Sequence, residues 1–532
     1  MFKKIFSPFA LCVILCLQSV YPALAEENGP LEFLVVPVEK ETAMFRRFLP
    51  VKNCLQNRLN RQVNLKLGHD AQAAIDALRY KAWDVAYVDP SLYCEMKDKY
   101  SVQPVVKLKR EKQETYRSTL VVRRDSDWGK LADIRGASLA LGQPESSATH
   151  LIPLSLLRQA DLDLSDLAQV STLPNEDEIA LSVLVGDHDV GAMSMEVYKK
   201  YRSEGLRILK TSEEIPQFVI CARPDLNQTT VDRIRRALLQ DCPLEDEKLS
   251  FVSVQDREYN IVRIMLKNMT GKDYLTYPPG TVKLGLLPLY SAITLNKRFS
   301  PLAAYLSRQT GRDFRLVIPK DFEEFVHLVR TGEIDFAYQN PYVYLLLARD
   351  GYLDTLALTV SKEPNEPRST FRGVILTRKD SSIQDVRDLP GKKIMIVSHK
   401  SAGGYRFQKL FLRGQGIMID EVAELVEGKR HEEVVLAVYR KQAEVGFVRE
   451  SALSVVRDLV DMDQLRVLAR TPYYPNWPVA AHKEVDAQLA AQVQEALTSL
   501  KDRELLGQVG VEGFTGPQKE KLSALQEKVE FE

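Results

Sequence analysis

Charge imbalance is absent from this sequence: 72 lysines and arginines face 72 aspartates and glutamates in 532 residues. Nothing in that balance points to nucleic acid or to an anionic membrane surface. Cysteine is scarce, six in all, and none falls in a C-x-x-C. The seven histidines are scattered, so no metal-ligand spacing appears, and no cofactor is called for. Past the first 25 residues no apolar run approaches the roughly 20 residues that span a bilayer. Low-complexity tracts are missing as well, and a hydrophobic content of 45% describes a chain that folds throughout.

What is present begins with an export signal. Lys3 and Lys4 precede the apolar stretch Phe9–Leu17, and Ala23-Leu24-Ala25 follows. That order predicts cleavage before Glu26, with residues 1–25 removed and the product in the periplasm. Cys12 and Cys16 each follow a leucine, where a lipid-anchored cysteine wants a small residue. Cys54, Cys94, Cys221 and Cys242 remain, and an exported location permits disulfides. Four cysteines allow three pairings, which the sequence leaves open beside buried free thiols.

The chain repeats itself. Leu31–Pro37 pairs with Val282–Pro288, and Ala82–Pro90 (AWDVAYVDP) with Glu333–Pro341 (EIDFAYQNP), each 251 residues on. Tyr116–Asp125 matches Phe371–Asp380 at a separation of 255, and Asp189-Val190-Gly191 matches Glu444-Val445-Gly446 at the same spacing. Order is kept and the offset drifts only by small insertions, so two homologous halves are the reading. The predicted boundaries are 26–274 and 281–515, with a Pro-Pro-Gly linker at 275–280 and a C-terminal helix at 516–532.

In the second half, strands are predicted at Val282–Leu287, Phe314–Ile318 and Ile334–Tyr338, alternating with helices at Ser300–Gln309 and Phe322–Arg330. This βαβαβ order implies α/β lobes with mostly parallel sheets, whose ligands sit at the carboxyl ends of strands. Ile394–Val397 reads as another buried strand. Behind it Ser398, Ser401, Gly403 and Gly404 form a hydroxyl-and-glycine turn that opens a helix, a place suited to a small tetrahedral oxyanion. An ordinary serine-capped βα turn is the plainer alternative.

The motifs SPLAAYLSRQTG, TGEIDFAYQNPYVYLL, FRGVILTRKDSSIQDVRDLPGKKI, SHKSAGGY, AEVGFVRESAL and RTPYYPNWPVA resemble the periplasmic solute-binding proteins of phosphonate/phosphite-type ABC transporters, once per half. The resemblance implies two tandem type II periplasmic-binding modules, each of two α/β lobes joined by a hinge and closing on ligand. It places ligand-binding positions at Ser398, His399, Ser401, Gly403, Gly404 and Tyr405. In the first half it places them at Gln143, Ser146, Ser147, Thr149 and His150, with Ala148 opposite Gly403. The strand-end loops supply Tyr338, Gln339 and Asn340, answered by Tyr87, Val88 and Asp89, and Tyr290 and Ser291 follow the first strand of the second half. Arg117 and Arg372 precede hinge-like strands, as anion ligands or structural ion pairs. Glu450, with Glu196 in the first half, is the candidate for a substrate amine. Tyr473, Tyr474 and Trp477 either close over a ligand or stiffen a crossover.

The first half carries Asp89 where the second has Asn340, and Glu145 where it has Lys400. A carboxylate in an anion site opposes binding, so the second half is expected to be the better oxyanion binder. The function implied is capture of a phosphonate, phosphate or phosphite-like ion for an ABC permease, by a non-enzymatic monomer with no nucleic-acid partner. The alternatives are a sensor module reporting to a membrane kinase or receptor, an exported hydrolase using Ser398 or Ser147, and a scaffold that has lost its ligand. No G-x-S-x-G surrounds either serine.

Overall fold

The computed structural model describes residues 29–529 apart from 38–40, 69–70, 241, 245–247, 276, 364–366 and 429. The predicted signal segment lies outside the described residues. The chain divides into two compact units, with the boundary between residues 276 and 277.

The first module has two lobes. One is a six-stranded sheet in the order Leu249–Val252, Gln103–Arg110, Val219–Ala222, Val85–Val88, Leu31–Val35, Val63–Leu67. The other is five-stranded, in the order Leu206–Thr211, Ser118–Arg123, Val190–Ser194, Ser138–Leu141, Gln169–Thr172. Between them the chain crosses out at Thr115–Tyr116 and back at Ile215–Pro216, and these two short strands pair with each other. The second module repeats the plan, with Thr370–Phe371 paired to Tyr474–Pro475 at its crossing. Its lobes are built on Val282–Leu286 and its neighbours, and on Lys393–Ile396 and its neighbours.

The fold class is that of tandem periplasmic-binding modules, but the sheets are mixed rather than mostly parallel. Leu31–Val35 runs parallel to both flanking strands, as the βαβ order requires. The strand returning through the hinge then enters the middle of the sheet. Val219–Ala222 lies antiparallel to Val85–Val88 and to Gln103–Arg110. In the second module Pro478–His482 does the same between Phe336–Tyr338 and Leu353–Lys362. A double crossing leaves no other direction of entry.

Local chemistry sets the element ends. The helix expected from Ser300 begins at Ala292 and runs to Thr310, because the Ser291 hydroxyl accepts the Thr294 N–H at 3.2 Å and caps it. It carries Pro301 in its interior, which removes one helical hydrogen bond. At the far end Gly513–Thr515 adds to the sheet beside Leu353–Lys362, and Leu522 and Leu525 of the helix Lys519–Gln526 join the core around Phe371 and Tyr342.

Cys54, on the helix Glu41–Leu59, is bonded to Cys242, 188 residues away, whereas Cys94 and Cys221 are buried free thiols. All four belong to the six-stranded lobe of the first module. A cross-link closing so long a loop stabilises mainly by restricting the unfolded chain. The double replacement Cys54→Ser/Cys242→Ser is expected to cost the first module about 2–4 kcal/mol by chemical denaturation, with the second module's transition unmoved. An unchanged first transition would remove the bond from the stability of this fold.

Candidate functional site

In both modules the hydroxyl-bearing segment is a wide helical turn, not a free loop. Ser146 (φ −81°, ψ 118°) caps the turn Ser147–Leu151, and Ser401 (φ −77°, ψ 118°) caps Ala402–Arg406. Each cap hydroxyl accepts the N–H three residues on, from Thr149 at 3.2 Å and Gly404 at 3.0 Å. Each serine thus uses an accepting lone pair within its own turn.

Packing explains the glycines. A Cβ on Gly404 would lie 2.4 Å from Val397, and one on Gly403 2.7 Å from Phe371. Sequence reasoning read both as room for a ligand to approach the backbone, but the approaching atoms are this module's own. In the first module Thr149 stands opposite Gly142, at the positions of Gly404 and Val397, and a Cβ on Gly142 would collide with the Thr149 side chain. Large against small has become small against large. A second exchange holds the turn's buried carbonyl. Ser118 donates to the Ala148 oxygen at 2.5 Å, whereas Gly373, in Ser118's place, leaves space for the Gln408 amide to donate to the Gly403 oxygen at 2.9 Å.

The strand ends face these turns across the lobe junction. Asn340 caps the helix Pro341–Arg349, its Oδ1 accepting from Val343 N–H at 2.9 Å, while its Nδ2 donates to the Lys400 carbonyl at 3.1 Å. Asp89 caps Pro90–Tyr100 by accepting the Ser91 N–H at 2.8 Å, and reaches Ser147 of the other lobe. Lys400 pairs with Glu323, and the Arg406 guanidinium lies 4.3 Å from the Tyr342 ring centre, each contact joining the lobes. A buried ion pair, which sequence reasoning missed, also crosses here. Arg449 donates to Glu363 at 2.5 Å and to Ser361 at 2.6 Å, and lies over the Phe371 ring at 4.3 Å. Alternation along Val445–Arg449 is the signal for it in the sequence, since it turns Arg449 to the face opposite Glu450. The first module crosses its lobes with Arg110 and Glu196 at 2.8 Å.

Several candidates are spoken for. Arg372 grips Glu450 in two bonds, of 2.5 and 2.8 Å, and Arg470 adds a third at 2.8 Å. Burial pushes the Glu450 carboxyl up, but the two guanidiniums outweigh it and hold it below its ordinary range. Tyr473 covers Arg372 at 4.7 Å. Arg117 binds the Ser212 carbonyl and Glu214. Tyr87 is core, packed on Phe48 and Phe218, and Tyr405 is core as well, its hydroxyl on Asp420. His399 turns to Glu427 at 2.8 Å, and His150 to the Gly142 carbonyl at 3.2 Å. Gln143 and Tyr290 are exposed, and Arg298 lies 4.8 Å from the Tyr290 ring. Tyr474 packs on Phe407 at 4.2 Å.

Of the second module's candidates, Asn340 meets the turn containing Ser398 and Ser401 through the Lys400 carbonyl, and Tyr338 and Gln339 directly precede Asn340. Tyr338 lies between Phe299 and Trp477, and burial pushes its phenol up. Gln339 is fully buried with neither amide atom partnered, and the Arg449 Nε is likewise buried without a partner. Among the described residues no cluster of three His, Cys, Asp or Glu side chains could hold a metal ion, and no helix is long and apolar enough to cross a membrane.

Two lobes on a paired-strand hinge, with capped helices meeting across the junction, define a bilobal binding protein, here twice over. The chain belongs to the family described as ABC transporter, phosphonate, periplasmic substrate-binding protein, which matches residues 33–255 and again 284–522. It is 27% identical over 237 residues to the tetrathionate sensor histidine kinase TtrS of Salmonella typhimurium, covering 41% of this chain and 39% of the kinase. It is 22% identical to the phosphate-import protein PhnD of Mycolicibacterium smegmatis, covering 35% of this chain and 60% of that protein. The phosphonates-binding periplasmic protein of Escherichia coli is 24% identical, over 43% of this chain and 72% of its own length. The chain thus spans under two thirds of the first two relatives.

Two outcomes are expected. Gly404→Thr and Val397→Gly should each destabilise the second module by about 1–3 kcal/mol, and the double variant by less than their sum. Strict additivity in denaturant titrations would refute the packing account. Separately, half-buried His431 accepts the Arg449 N–H at 3.1 Å, and burial, then the Arg449 charge, lowers its pKa from 6.5 to about 3. A base held neutral by the fold gives its full stability above 6.5 and loses it as pH falls toward 3. The second module's melting temperature should therefore drop between pH 6.5 and 4.5, before ordinary glutamates titrate. His431→Asn, which keeps an acceptor there, should flatten that drop.

Proposed function

We propose that this chain is exported through residues 1–25 and that its second module captures a small oxyanion, a phosphonate, phosphate or phosphite, by lobe closure for an ABC importer. The observation that carries the reading is the residue capping the strand-end helix at the junction: the amide Asn340 in the second module, the acidic Asp89 in the first. The second module also offers the half-buried Arg449, which beyond its pair with Glu363 keeps an unpartnered Nε and whose guanidinium matches an oxyanion bidentately. Closure is a population shift, driven by contacts to both lobes that exist together only in the closed form. Two relatives carry phosphate import and phosphonate binding in their names, which agrees with that ligand class.

A sensor is the second reading, favoured by the tandem arrangement and by the likeness to a sensor kinase. The same capture would then be read by a membrane partner instead of a permease. Neighbouring genes separate the two, a permease and ATPase against a histidine kinase. The hydrolase alternative draws no support, since His399 faces Glu427 and Ser147 faces Asp89.

The test uses the full chain. Titration calorimetry with phosphate, phosphite and methylphosphonate should give one binding event. Asn340→Asp keeps a cap for the helix but adds a charge at the junction, so affinity should fall at least tenfold, about 1.5–3 kcal/mol. Undiminished affinity in Asn340→Asp would overturn the assignment to this module.

A further inference from the structure

The first module's turn is already in contact with a carboxyl group, one that burial pushes above its ordinary range and that hydrogen bonds from Ser147 and Ser91 pull back. Asp89 leaves the strand Val85–Val88 and crosses the junction to the turn of the opposite lobe. Its Oδ2 accepts the Ser147 N–H at 3.2 Å and its Oδ1 accepts the Ser147 hydroxyl. On its own lobe Oδ1 accepts the Ser91 N–H at 2.8 Å and the Ser91 hydroxyl at 2.7 Å. A backbone N–H and a serine hydroxyl at a helical turn are the donors an incoming oxyanion would take. We propose that Asp89 is the first module's built-in ligand: its carboxylate occupies the turn in place of an external oxyanion and clasps the two lobes in cis. This rests on reading the turn as the oxyanion-holding element.

Comparison of the modules supports the assignment. Ala402 stands where the first module has Ser147, so the second turn lacks the hydroxyl that meets the carboxylate. Asn340 sends its amide to the Lys400 carbonyl instead, and brings no anion to the turn. Asp89 is 4% exposed, and none of its contacts among the described residues is with a lysine or arginine. The groups around it are Glu95 on its own helix, Glu145 beside the turn, and Tyr116 on the hinge. Burial, then the charges of Asp89 and Glu145, push the Glu95 carboxyl up, so an added oxyanion would enter a site of its own sign. A carboxylate supplied by the chain needs no capture from solution and costs no association entropy, so it outcompetes a dilute free ion.

Hydrogen exchange on the full chain reads this locally, in peptides covering residues 147–151. The variants are Asp89→Gly, which vacates the space, and Asp89→Ser, which vacates it while keeping a helix cap should the glycine variant fold poorly. The expected result is exchange roughly ten- to hundredfold faster at those amides in the variants. Added formate should restore protection, chloride at equal ionic strength should not, and wild type should ignore both. Protection unchanged in the variants, or formate without effect on them, would overturn the proposal. So would phosphate protecting this turn in wild type. Phosphate binding by the second module is read in other peptides and by Asn340→Asp, so either reading can fail without the other.

Discussion

A buried backbone carbonyl on the cap turn, Ala148 in one module and Gly403 in the other, cannot be left without a donor. The turn lies against the first residue of the strand that follows the hinge, Ser118 or Gly373, where the donor reaches that oxygen. The hinge fixes where the two lobes meet, and the strand-end caps then have one place to point. The modules meet the demand differently. One places a serine directly on the strand, and the other thins that strand to glycine so that a glutamine can reach over it. The requirement persists while the residues that satisfy it have been replaced.

The same logic accounts for the exchange of Val397 and Gly404 for Gly142 and Thr149. The space between strand end and turn holds about one side chain, and which partner supplies it is indifferent to the fold. A glycine in such a turn is thus ambiguous by itself. Its partner, not its neighbours in the motif, says whether the backbone is bared for a ligand or for another part of the core.

Much of the fold was legible because it depends on short-range pattern: apolar runs, turn residues, and a whole module written twice. The alternation at Phe322–Arg330 matches the helix observed. Ser291 stands one residue before a helix that the apolar pattern started at Ser300, since a cap announces itself by chemistry and not by periodicity. The site was less legible. Arg372 and Glu450 lie 78 residues apart, so nothing local marks them as a pair. Tyr87 and Tyr405 carry a polar tip that suggests a ligand, yet both rings fill cores assembled from distant elements. Asp89 was read as an obstacle to an anion because the sequence shows its charge but not the four donors around it.

The disulfide has a consequence for how the chain can be made. Cys54 and Cys94 are neighbours in synthesis, but the proper partner of the first is residue 242, and the thiol of the second comes to rest 3.8 Å from the carbonyl of Tyr259. Cys54 therefore waits for residue 242 and Cys94 for Tyr259, so neither sulfur is settled until most of the module is present. That makes the lobe a discontinuous unit whose thiols report on its own completion. A chain broken off before residue 242 leaves Cys54 without its partner, whereas in the finished module Cys54 is bonded to Cys242, and Cys94 and Cys221 are buried.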